Sequence, residues 1–174
     1  MSNHLRPGAL GQVVVTPDSA GWRFLSFGVT VLKAGEVMQG HSGGNEMAFV
    51  PQTGIFAVEA GGQVFELSRE SVFAGLPHVL YLPPGTTWTI SARSDCTFAH
   101  GGAPAEGRLP LRLIRPGEMR VELRGGASAA RQVSHLLGPD QPAERLLLYE
   151  VYTPGGHWSG WPPHRHDGQG GSLY

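Results

Sequence analysis

The residues best suited to chemistry lie near one end of the sequence, in Thr153-Pro154-Gly155-Gly156-His157-Trp158-Ser159-Gly160-Trp161-Pro162-Pro163-His164-Arg165-His166-Asp167. His164 and His166 stand two apart. On a strand, residues at that spacing face the same side. Two imidazoles can then converge on one ion at the roughly 2.0–2.1 Å of zinc–nitrogen bonds. Pro162-Pro163 stiffens the approach and lowers the ordering cost of binding. Asp167 faces the other way and can serve only as an acceptor behind an imidazole. A His-x-His pair alone is common on exposed surfaces. This one gains weight because it follows a strong strand and a glycine turn, with two tryptophans nearby. His157 is the weaker ligand candidate, its spacing to the pair being odd. No residue identifies itself as a general base, so the catalytic residues stay unassigned.

The elements that must position this segment read as short strands punctuated by glycine and proline. The 174 residues include 26 glycines and 14 prolines. That is about twice ordinary usage, without the three-residue period of collagen. Apolar runs occur at Gln12–Val15, Trp22–Leu32, Glu46–Val50 (stopped by Pro51), Gly54–Ala60, Gln63–Leu67, Val79–Leu82, Thr86–Ala92, Cys96–Ala99, Leu111–Ile114, Met119–Leu123 and Arg145–Tyr152. Gly61-Gly62 predicts a hairpin turn, because both positions tolerate positive φ. Thr86, Trp88, Ile90 and Ala92 share one face. The slip between Phe24 and Phe27 reads as a bulge. No stretch holds a helical apolar period over three turns. Gly101–Pro110 reads as a linker, and Gly125–Arg131 as loose. Both ends of the chain share a theme of apolar strand, Gly/Pro turn and polar residues, a hint of two similar units.

Composition narrows the function classes. Thirteen Lys+Arg against 14 Asp+Glu leave no basic field for nucleic acid. Apolar residues make up 40%, enough for a core. Apolar runs are too short to span a bilayer as helices. The lone Cys96 forms no intrachain disulfide and fits a reducing compartment, and the first residues lack a signal-peptide core. The expectation is a cytoplasmic protein with no nucleic-acid or membrane partner. Cys96 reads as a small buried residue and His78 as a packing or capping group at a strand entrance. His41 with Glu46 looks like a decayed ligand set, although a loop histidine is the simpler reading. Trp158 and Trp161 could line a sugar site or simply pack. Glu150 and Tyr149 alternate on their strand and receive no role.

A wider set of motifs points further. Tyr149-Glu150-Val151-Tyr152-Thr153-Pro154-Gly155-Gly156-His157-Trp158-Ser159 followed by Pro162-Pro163-His164-Arg165-His166-Asp167 resembles the 5-deoxy-glucuronate isomerase family of inositol catabolism. So do Asn45-Glu46-Met47-Ala48-Phe49-Val50-Pro51, the stretch Ser71–Gly85, and Arg131-Gln132-Val133 with Leu136-Leu137. The resemblance implies an all-β chain of two cupin domains (jelly rolls, or double-stranded β-helices). It also implies a divalent metal, zinc or similar, held in the second cupin by three histidines and a glutamate. The implied reaction is a metal-dependent aldose–ketose isomerisation of a small sugar acid to 5-dehydro-2-deoxy-gluconate. His164 and His166 match the first two ligands. The common cupin spacing would put a glutamate at 170 or 171, where Gly170 and Gly171 stand; the family places it in a Leu-Glu-Glu string soon after a serine, whereas this chain reads Ser172-Leu173-Tyr174, so the other two ligands have no match. The expected organisation is an N-terminal cupin-like domain at 1–103, a linker with connecting strands at 104–125, and the start of a second cupin at 126–174. The chain would be truncated inside that second cupin and impaired in activity. Its open strand edges, and apolar faces at Leu146, Leu148 and Val151, predict a homo-oligomer. Two other readings stand beside this one: a non-catalytic cupin module for sugar-acid binding or oligomerisation, and a relative of 5-keto-4-deoxyuronate isomerase.

Overall fold

A computed structural model describes residues 13–160. The strands are β1 (Val13–Val15), β2 (Ser26–Leu32), β3 (Val37–His41), β4 (Asn45–Ala60), β5 (Gln63–Arg69), β6 (Val79–Leu82), β7 (Thr87–Ala92), β8 (Cys96–Pro104), β9 (Arg112–Ile114), β10 (Arg120–Arg124), β11 (Arg131–Leu137) and β12 (Leu148–Tyr152). The expected all-β architecture forms. One layer runs β1-β2-β8-β4-β6-β9, and a second holds β3, β7, β4 and β5, all antiparallel. The two layers face each other as a cupin-type jelly roll. A separate sheet, β10-β11-β12, follows. Among the described residues no helix is long and apolar enough to cross a membrane.

β4 belongs to both layers. Its first half pairs with β8 and β6, its second half with β5 and β7. Pro51 was expected to stop a strand, yet it sits inside β4 opposite Phe98, and the register shifts between Pro51 and Thr53. A bulge absorbs the proline's missing N–H and bends the strand from one sheet into the other. Gly54 completes the bend at φ 83°, where an added Cβ would stand 2.2 Å from the Asp95 carbonyl oxygen.

The predicted Gly61-Gly62 hairpin joins β4 to β5, with φ 57° and 73°. Other expectations need correction. The slip before Phe27 is no bulge, because β2 begins only at Ser26. A one-turn helix, α1 (Pro17–Ala20), was missed although its signals are present: Thr16 caps it, Pro17 opens it and Gly21 closes it at φ 67°. Gly101–Pro104 belong to β8 rather than to a linker. Glycine is needed there, since a Cβ on Gly102 would meet the Glu46 carbonyl oxygen at 2.9 Å. β3 and β11 were also not anticipated as strands.

Two cores form. Inside the sandwich, Leu32, Phe49, Phe56, Val58, Leu67, Leu80, Leu82, Trp88, Ile90 and Phe98 pack together. Phe49 meets Trp88 and Phe98 edge-on at 5.1 and 6.0 Å. Trp88, Ile90 and Ala92 lie buried on one face, as their spacing predicted. The second core lies outside the sandwich. There Ala48, Val50, Val79, Tyr81 and Ile114 meet Met119, Leu136, Leu137 and Leu146. Leu146, expected on an open face, is therefore buried, while Val151 is exposed.

Candidate functional site

The interior of the sandwich is apolar and aromatic, and it does not gather the supposed decayed ligand set. His41 is exposed, and its Nδ1 accepts from the Gly43 N–H at 2.9 Å. Glu46 lies elsewhere. It shares a face of β4 with Ala48 and Val50, directed at the second core. The His100 ring lies 6.1 Å from those of Phe49 and Phe98, at the margin of the interior. Nε2 lies 3.2 Å from the Thr30 hydroxyl. Burial pushes its pKa below the usual range, because the charged form loses its hydration. Cys96 is buried as predicted, and burial pushes its thiol up.

Glu46 is fully buried yet fully partnered. One carboxylate oxygen accepts from the Tyr81 hydroxyl and the Glu144 N–H, each at 2.8 Å. The other accepts from Arg145 N–H at 2.6 Å and Leu146 N–H at 2.7 Å. Three consecutive amides thus form a concave anion cradle of the kind that backbone nests supply. Burial, with the Glu46 carboxylate beside it, holds the Tyr81 phenol far above its ordinary range.

A second buried charge lies nearby in the fold. Arg69, at the end of β5, grips Glu150 of β12 with two prongs at 2.6 and 2.8 Å. Its remaining N–H groups donate to the carbonyls of Pro51, Val72 and Gly75 and to the Tyr152 hydroxyl. Tyr152 in turn donates to Val72. Burial opposes the Arg69 charge, but the Glu150 carboxylate outweighs it and raises the guanidinium pKa. Glu150, given no role from sequence, is therefore the residue that β12 presents to the sandwich. The signal for the pair was unreadable, since Arg69 and Glu150 are 81 positions apart.

The opposite face of the second sheet carries Arg120, Glu122, Val133, His135, Tyr149 and Val151, by register. His135 is buried with Nε2 2.7 Å from a Glu122 oxygen and Tyr149 edge-on at 4.9 Å. The His135 hydrogen bond, aided by Arg124, holds the Glu122 carboxyl below its ordinary range. Beyond β12 the chain turns at Gly156, φ 78°, closed by His157 N–H to Pro154. The turn after β2 is built alike: Gly35 has φ 85°, and Glu36 N–H bonds to Lys33. The turns that follow β2 and β12 are thus of one kind, each with a glycine at positive φ. His157 donates Nδ1–H to the Ala130 carbonyl at 3.1 Å, and Trp158 N–H reaches Ser128 at 2.7 Å.

His164 and His166, with Trp161 and Asp167, lie outside the described residues. Among the described residues no group of three or more His, Cys, Asp or Glu could hold a metal ion. The described residues thus form no metal centre.

Against known proteins, the chain is 37% identical over 165 residues to the 5-deoxy-glucuronate isomerase of Geobacillus kaustophilus, covering 92% of this chain and 60% of that protein. It is 36% identical over 171 residues to the enzyme of the same name from Geobacillus thermodenitrificans, covering 96% of this chain and 62% of that one. The crystal structure of an IolB-like protein from Salmonella typhimurium superposes with a TM-score of 0.81 at 37% identity, over 86% of this chain and 58% of that one. The chain spans about 60% of the length of the curated relatives it matches. The KduI/IolB family model matches residues 3–172, and with the shared jelly roll this establishes that the chain belongs to the KduI/IolB family.

Proposed function

We propose that this chain is the larger part of a 5-deoxy-glucuronate isomerase, acting on a small sugar acid in inositol catabolism in the cytoplasm. One observation carries the reading: relatives of that name match this chain at 36–37% identity over more than nine-tenths of its length. We also propose a second jelly roll that begins near residue 126, after a first unit at 1–103 and connecting strands at 104–125; the separate sheet β10-β11-β12 and the like turns after β2 and β12 support it. β8 runs one residue past that first boundary, to Pro104. We further propose His164 and His166 as ligands of a divalent ion such as zinc, completed by residues that this sequence does not contain, and a homo-oligomer as the working form.

Isomerisation of an aldose to a ketose moves one proton between adjacent carbons and another between their oxygens. A bound divalent ion would polarise the carbonyl and the neighbouring hydroxyl. The described residues contribute upstream of that chemistry, by holding β12 and the turn that follows it in one position.

The test is direct. The chain is assayed alone and joined to the remaining part of the Geobacillus kaustophilus relative, with zinc or manganese and 5-deoxy-glucuronate, and conversion is followed by proton NMR. Turnover in the joined protein that His164→Ala and His166→Ala each abolish supports the reading. Binding of the sugar acid without turnover in the joined protein would instead favour the non-catalytic module.

A further inference from the structure

Glu46 and Arg69 share an unusual property: both are charged side chains of the jelly roll, both are buried, and both are partnered from the segment at 144–152. A buried charge without partners is costly enough that the fold must supply them. The two anchors have opposite signs and grip different points. Glu46 takes the backbone of 144–146 just before β12, and Arg69 takes the Glu150 side chain at the middle of β12. A two-pronged guanidinium–carboxylate contact restricts rotation as well as distance. Together they determine where β12 starts and how its faces are turned. From Tyr152 onward, Thr153 to Ser159 at 2.7 Å, His157 to Ala130 and Trp158 to Ser128 hold the chain as far as Ser159.

We infer that Glu46 and Arg69 are positioning residues: the first jelly roll acts as a jig whose two buried charges set the register of β12 and the course of the chain from Tyr152 to Ser159. That this course leads to a metal site rests on the function proposed above. The positioning itself does not.

The experiment is hydrogen–deuterium exchange with mass spectrometry on the full 174-residue chain, alongside thermal melting. The variants are Glu150→Met, Arg69→Met and the double replacement. Glu150→Met leaves the buried Arg69 without its counter-charge, and Arg69→Met leaves the half-buried Glu150 without its own. Each is expected to melt lower and to speed exchange in peptides covering 144–160 by at least about tenfold, while β4 and β7 peptides keep their protection. The double variant removes both charges, and buried pairs replaced by apolar groups commonly regain stability. Its melting point is expected to recover most of the loss, while exchange at 144–160 stays at least about tenfold fast, because the directional contacts are gone. Recovery of both readouts in the double variant would show that the pair serves stability alone and overturn the inference. Unchanged exchange at 144–160 in the single variants would overturn it as well. Should a single variant fail to fold, the double variant decides by the same two readouts. A protein completed with the missing part of the relative that takes up no zinc would count against the metal site and leave these outcomes to decide positioning.

Discussion

Glu46→Gln tests the cradle most sharply, because it changes one atom of a side chain that is 0% exposed. The carboxylate faces four donors and no acceptor. A glutamine in the same place must turn its NH2 toward two of them. If it replaces the oxygen facing Arg145 and Leu146, two amide N–H groups lose their acceptor and oppose a donor. If it replaces the other, the Tyr81 hydroxyl can rotate to accept, leaving only the Glu144 amide opposed. Hydrogen bonds to a charged group contribute about 1.5–3 kcal/mol each, so the cheaper arrangement costs at least one such bond plus weakening of the rest, about 2–5 kcal/mol in all. For a chain of this size each kcal/mol moves the melting midpoint by about 2–4 °C. The expected drop is therefore roughly 4–20 °C, read by circular dichroism at neutral pH, with a matching loss of the urea midpoint. Tyr81→Phe, which removes one donor and leaves the cradle, should lose less. A Glu46→Gln midpoint within about 2 °C of wild type would refute the reasoning, since it would mean that the four contacts contribute almost nothing net.

Three further outcomes follow from other features. Burial depresses the His100 pKa, so below the ordinary value near 6.5 the unfolded chain binds a proton that the folded chain refuses. Folding stability therefore falls as pH drops from that point toward the depressed value. His100→Asn should flatten this part of the pH–stability curve, measured by urea unfolding; an unchanged slope would be inconsistent with a buried neutral imidazole. Gly54→Ala combines a positive φ with a Cβ only 2.2 Å from a backbone oxygen, and should cost more than about 1 kcal/mol in urea unfolding, whereas Gly62→Ala, with φ 73° but nothing within 4 Å, should cost less. Cys96 is 2% exposed with a raised thiol pKa, so a disulfide reagent at pH 8 should label it only as fast as the chain unfolds; rapid labelling of native protein would contradict its burial.

Much of the fold was legible because its signals are local. Period-two spacing exposed β7, paired glycines exposed the β4–β5 hairpin, and a pattern of motifs exposed the family. What stayed hidden depends on distant partners. Pro51 breaks a strand by its own chemistry, and only a bulge set by β8 and a permissive Gly54 carry β4 through it. The polar run at 101–104 looked like a linker because its glycines leave room for neighbouring backbones that the sequence does not display. Glu46 resembled a ligand because a carboxylate near a histidine fits metal chemistry. Its true partners are amides about a hundred positions away, and backbone amides have no sequence signature. β11 was overlooked because Ser134 and His135 interrupt its apolar pattern, although both are buried once Glu122 and Tyr149 close over the histidine.

The Glu46 cradle also orders events in time. The acid lies near the beginning of the chain, and the three amides that hold it are at 144–146. A chain growing from the ribosome completes every strand of the first jelly roll while Glu46 still lacks those partners. Until residue 146 is free to reach it, that face of β4 must stay hydrated, and the outer core around Ala48, Val50 and Tyr81 cannot seal. The final compaction of that face thus waits on the synthesis of residues 144–146.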